Sequence, residues 1–152
     1  MSDPHSVTIL LAEDDDGHAS LVQRNLERAG LINGFLRVRD GQELLDCLNS
    51  KGSSHSMTLD DAIVILLDIN MPRIDGIEAL KQIKANPNTF RIPVIMLTTT
   101  DDPREIDRCY ELGCNVYITK PVEYDGFIDA IRRLGLFLQI VRRPRNGGAA
   151  GR

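Results

Sequence analysis

Hydrophobic residues along this chain come in two rhythms, short unbroken runs and longer stretches in which they recur every three or four positions. Val7-Thr8-Ile9-Leu10-Leu11-Ala12 is such a run, stopped by Glu13-Asp14-Asp15-Asp16, and it reads as a strand buried on both faces. Behind it Ala19, Val22, Leu26 and Ala29 keep helical spacing up to Gly30, where a helix would end. Phe35-Leu36-Arg37-Val38 is a second, poorer strand, and Gly41 to Leu48 a short helix turning Leu44, Leu45 and Leu48 inward. The run Ala62 to Leu67 is β-branched, unbroken and halted at Asp68, as expected of a central parallel strand. Ile77, Leu80, Ile83 and Lys84 mark a helix to about Asn86-Pro87, and Pro93 to Thr98 marks another strand. Pro103 opens a helix to Leu112 that Gly113 would close. Val116 to Thr119 is a fifth strand, and a last helix runs from Tyr124 to about Val141. The polar residues 49–61 read as a flexible connection, and residues 142–152 as a disordered tail.

Five strands alternating with five helices predict an α/β protein, a doubly wound five-stranded parallel sheet with helices on both faces. The 152 residues suit one domain over 1–141 followed by a flexible basic tail over 142–152. With 42% apolar and 26% charged residues, the chain has the means to build a core. Its 18 Lys+Arg against 22 Asp+Glu give a net charge of −4, which argues against nucleic acid as a partner. No apolar run is long enough for a membrane span and no basic segment precedes the first run, so a cytoplasmic location is expected. Cys47, Cys109 and Cys114 show no CxxC pairing, and His5, His18 and His55 no ligand spacing, so zinc is not expected.

In an open α/β sheet, ligands bind beyond the carboxyl ends of the strands. Strand one ends in Glu13-Asp14, strand three in Asp68, strand four in Thr98-Thr99 and strand five in Lys120-Pro121. Three carboxylates, a hydroxyl and an ammonium are thereby expected at one edge. Clustered carboxylates repel one another, and hard oxygen ligands without His or Cys point to Mg²⁺. Mg²⁺ and Lys120 together balance the three negative charges, leaving the site ready to receive a phosphoryl group.

Glu13-Asp14 after the first strand, Asp68 in LLDINMPRIDG, Thr98 in IMLTT and Lys120-Pro121 in YITKP resemble the receiver domain of two-component response regulators. The likeness covers about Val7 to Val141 and implies the flavodoxin-like receiver fold with strand order 2-1-3-4-5. It implies that Asp68 is the phosphoacceptor, attacking the phosphohistidine of a partner kinase. Asp14, Asp68 and the backbone carbonyl of Asn70 would hold Mg²⁺. Glu13, where the family commonly has Asp, would contribute directly or through a metal-bound water. Thr98 and Lys120 would each take a phosphoryl oxygen, and Thr98 with Tyr117 would form the switch pair. Pro72 and Gly76 would shape the loop after Asp68, Gly76 at a turn that a side chain would obstruct, and the Lys120-Pro121 peptide would be cis. The resemblance makes the protein a phosphoacceptor and not an enzyme toward other molecules.

In the last helix Phe127, Ile131, Leu134, Leu138 and Val141 form one apolar stripe, while Ile128, Leu136, Phe137 and Ile140 lie off it. That surplus is expected to serve a homodimer. Together with the long connection and the TTTDDPREI and YITKP segments, the helix is similar to that of single-domain regulators paired with phytochrome-type histidine kinases. A chemotaxis-type regulator binding a motor or other effector is the alternative with the same chemistry. A flavodoxin-like electron carrier is the alternative from another class, but EDDDGHAS would repel a flavin phosphate.

Overall fold

The structure of the protein, a computed structural model, describes residues 7–30, 32–49, 63–99, 102–120 and 123–133. Strands β1 (Val7–Ala12), β2 (Ile32–Val38), β3 (Ile63–Asp68), β4 (Val94–Thr98) and β5 (Val116–Thr119) alternate with helices α1 (Asp16–Ala29), α2 (Gly41–Asn49), α3 (Gly76–Ala85) and α4 (Pro103–Glu111). Residues 124–133 are also helical and form α5. The sheet is parallel throughout, in the order β2-β1-β3-β4-β5. This is the doubly wound α/β architecture expected from the alternation. The connection at 50–62, Pro121 with its peptide bond, the last helix beyond residue 133 and the tail at 142–152 lie outside the described residues.

Side chains alternate across a strand, so each strand feeds two cores. Leu10, Ala12, Ile63, Ile65, Leu67, Val94 and Met96 face α2, α3 and α4. Ile9, Leu11, Val64, Leu66, Ile95 and Leu97 face α1 and α5. All six residues of β3 are buried, as a central strand covered on both sides requires. Local chemistry fixes the helix ends. Asp15, Asp75 and Asp102 cap α1, α3 and α4, each accepting a bond from a backbone N–H of the first turn. Gly30 ends α1 at φ 69° and Gly113 follows α4 at φ 109°, a conformation that costs glycine little.

Two expectations need correction. Strand β2 begins at Ile32, earlier than the apolar run at Phe35, because Asn33-Gly34 hides its start in the sequence. As an edge strand, β2 tolerates a glycine that would weaken a central one. Ile128, read as surplus on the last helix, is 3% exposed and packs with Phe127 and Ile131 against α1 and the sheet. Among the described residues α5 thus shows no apolar excess, and Leu136, Phe137 and Ile140 lie outside them.

Gly76 confirms its reading by close approach. A Cβ there would fall on the carbonyl oxygen of Asp68 and lie 2.7 Å from Ile69 Cα and 3.0 Å from the Asp68 carbonyl carbon. The Gly76 N–H donates to the Ile69 carbonyl at 2.8 Å, locking the start of α3 against the end of β3. Gly76→Ala must push these backbones apart and is expected to lower stability by about 1–3 kcal/mol in urea denaturation. A wild-type midpoint would mean that the two segments are not held so closely.

Candidate functional site

The alternation that builds the two cores also aims the strand tips. Glu13 follows Ile9 and Leu11, Asp68 follows Val64 and Leu66, and Lys120 follows Val116 and Ile118, so all three continue the face covered by α1 and α5. Backbone pairing persists through the tips, with Glu13 N–H donating to the Val38 carbonyl at 3.0 Å and Lys120 N–H to the Thr98 carbonyl at 2.7 Å. Side chains at these positions therefore keep strand directions and converge.

The Lys120 ammonium is 2.8 Å from Glu13 Oε1 and 3.1 Å from Asp68 Oδ1. Glu13 is fully buried, Asp68 is 3% exposed, and the Lys120 side chain is 14% exposed. Asp14 is exposed, yet one carboxylate oxygen each from Glu13, Asp14 and Asp68 lie within 4.8 Å of one another. Thr98, fully buried, continues the opposite face after Val94 and Met96. Tyr117 shares that face, pairing with Met96 across the strands and packing half-buried on the α2–α4 side. Asn70 lies two residues beyond Asp68, exposed, in the loop to α3.

Electrostatics follow from this crowding. Burial opposes ionisation of Glu13, but bonds from His18, Lys120 and the Asp15 N–H, with the charge of Lys120, outweigh it and hold the carboxyl down at about 2. Burial, reinforced by the Glu13 charge, pushes Asp68 up to about 6 against the pull of Lys120. Burial also disfavours the Lys120 cation, but its two carboxylate partners raise it above the ordinary lysine range. One ammonium thus serves two buried carboxylates, with a third nearby. Around a small octahedral cation with bond lengths of about 2.1 Å, adjacent oxygens are about 3.0 Å apart and opposite ones about 4.2 Å. The three acidic oxygens, within 4.8 Å of one another, are near enough to draw in around one such ion, and their charge and hardness fit it.

Two contributors were not singled out in the sequence. Arg37 donates from Nε and Nη2 to the Glu13 carbonyl at 2.9 and 2.7 Å and from Nη1 to Asp16 at 2.7 Å, tying the acidic loop to β2. Its place beside β1 depends on strand order, which spacing alone does not give. His18 bonds Glu13, five residues earlier, across the β1–α1 turn. The readable clue was alternation, which puts Glu13 under α1 just where His18 stands in its first turn.

Comparison with known proteins agrees with this geometry. The model of the response regulator receiver domain family matches residues 9–132. A solved response regulator receiver domain from Rhodospirillum rubrum is 51% identical, with a TM-score of 0.71 over 88% of this chain and 94% of that one. The bacteriophytochrome response regulator RtBRR is 40% identical, with a TM-score of 0.74 over 86% of this chain and 78% of that one. Response regulator Rcp1 of Synechocystis is 38% identical over 78% of this chain and 79% of its own. A structure of Rcp1 is in a Mn²⁺-bound form, with 34% identity and a TM-score of 0.69 over 84% of this chain and 91% of that one. This chain belongs to the response regulator receiver domain family, the phosphoacceptors of two-component signalling.

Proposed function

We propose that the protein acts as a single-domain response regulator that accepts a phosphoryl group on Asp68 from a sensor histidine kinase of the phytochrome type. The observation that carries this reading is the Lys120 ammonium, 3.1 Å from Asp68 Oδ1 and buried beside a second carboxylate at the end of the sheet. An Asp68 oxygen attacks phosphorus in line with the departing imidazole nitrogen of the kinase. The new P–O bond forms as the P–N bond breaks, and the imidazole leaves with a proton from solvent. Lys120 turns from the carboxylates to one phosphoryl oxygen, and the Thr98 hydroxyl donates to another. Asp14, Asp68 and the Asn70 carbonyl would hold Mg²⁺, with Glu13 bound directly or through water. When bound, the ion neutralises the charge gathered during transfer. Positioning and neutralisation supply the catalysis, which extends only to the protein's own phosphorylation and dephosphorylation.

Thr98 and Tyr117 share one sheet face, which supports assigning them the switch role: the hydroxyl is drawn toward the phosphoryl group and the ring follows. The phytochrome link is supported by the likeness to RtBRR and by the sequence features described above. We assign a homodimer surface to the last helix through Leu136, Phe137 and Ile140. No helix among the described residues is long and apolar enough to cross a membrane.

Intact mass after incubation with acetyl phosphate tests the reading. With Mg²⁺ the protein is expected to gain one phosphoryl group, and with chelator none. An unmodified mass in the presence of Mg²⁺, or equal uptake under chelation, would refute it.

A further inference from the structure

One buried group beside the acidic tip has no part in the mechanism above. The His18 side chain is 8% exposed, and its Nδ1 lies 2.7 Å from Glu13 Oε1. An ionised carboxylate only accepts, so Nδ1 carries the proton and donates. Nε2 is buried as well and has no hydrogen-bond partner among the described residues. A proton there would be a buried donor without an acceptor, which costs more than a bare lone pair in the same place. The ring therefore takes the tautomer with its proton on Nδ1. With Nδ1 occupied by Glu13 and Nε2 enclosed, the ring is not itself a metal ligand.

What it does follows from what else holds Glu13. Oε2 accepts from the Asp15 N–H at 3.2 Å, and Oε1 accepts from both His18 and Lys120; the ammonium is shared with Asp68 Oδ1, so the His18 ring is the side chain that still holds Oε1 when the ammonium leaves. His18 stands in the first turn of a helix capped by Asp15, and Arg37 fixes the Glu13 carbonyl from the other side. We infer that His18 is a positioning residue, whose Nδ1–H holds the Glu13 carboxylate in place for a divalent cation after Lys120 leaves it for the phosphoryl group. The inference rests on the metal and phosphoacceptor reading above and adds to it the group that orients one acidic ligand. Hydrogen bonds of this kind to metal-binding carboxylates characteristically set affinity.

Calorimetric titration with Mg²⁺ of the wild type, His18→Asn, His18→Leu and His18→Phe tests it, together with a long-range ¹H–¹⁵N spectrum of the metal-free wild type. The Leu and Phe variants lack a donor and are expected to bind Mg²⁺ about tenfold or more weakly, whereas Asn, which offers an N–H near the Nδ1 position, stays within about threefold. The spectrum is expected to show the Nδ1-protonated pattern, which a ring serving only as packing has no reason to adopt. Folded Leu or Phe variants binding within about twofold of the wild type, or a ring without a proton on Nδ1, would overturn the assignment. Should both apolar variants fail to fold, the wild-type spectrum decides. A wild type that binds no Mg²⁺ would instead overturn the reading of the whole site, a result distinct from normal binding that is indifferent to His18.

Discussion

Asp68→Asn is expected to take up no phosphoryl group from acetyl phosphate and Mg²⁺ and yet, without metal, to be more stable than the wild type. The amide keeps the shape of the side chain and an oxygen for Lys120, but it offers no anionic nucleophile. Its stability follows from the carboxyl it replaces. Burial and the Glu13 charge raise Asp68 from 3.8 to about 6 in the folded protein, so its ionisation works against folding. The wild type is free of that penalty below about pH 4 and bears it in full above about pH 6. At neutral pH and under chelation the variant should gain on the order of 2 kcal/mol, the advantage fading as pH falls toward 4. Intact mass reads the first effect and urea denaturation across pH the second. Labelling that persists in the variant would remove Asp68 from its role. Equal stability at every pH would mean that its carboxyl is not crowded as described.

Lys120→Met should have the opposite effect on stability. The ammonium is the shared counter-charge of Glu13 and Asp68, both buried, and methionine supplies similar bulk without charge. Two buried carboxylates left to face each other are expected to cost about 3–5 kcal/mol in metal-free protein at neutral pH. Mild acid should restore part of the loss by protonating one of them, and Mg²⁺ should restore more in the variant than it adds to the wild type. Denaturation with and without Mg²⁺ measures both. A variant as stable as the wild type under chelation would contradict the ion pairs. Phosphoryl uptake should fall as well, because the ammonium no longer meets the incoming charge.

Much of this site was legible because apolar runs end at chemically distinctive residues. Glu13, Asp68, Thr98 and Lys120 each close such a run, and the doubly wound order puts all the closures at one edge. Counting by twos along each strand also gives the side of the sheet on which each tip lies. Contacts that depend on how separate elements pack were not legible. Arg37 is an ordinary strand residue until β2 is laid beside β1, and His18 a stray histidine until α1 folds over Glu13. Ile128 was misplaced for a similar reason. Neighbouring helical residues are about 100° apart, and a helix lodged between a sheet and another helix buries a stripe at least that wide. Ile128 and Phe127 therefore both go inside.

The sheet is a single layer, and its functional end bears different groups above and below. Beneath α1 and α5 lie Glu13, Asp68, Lys120 and the His18 ring, whereas Thr98 and Tyr117 belong to the side of α2, α3 and α4. On the proposed reading, a phosphoryl group on Asp68 would meet groups that belong to both faces of the sheet, with no signal having to travel around the fold. The enzyme that writes the mark and the receptor that reads it need not compete for the same ground.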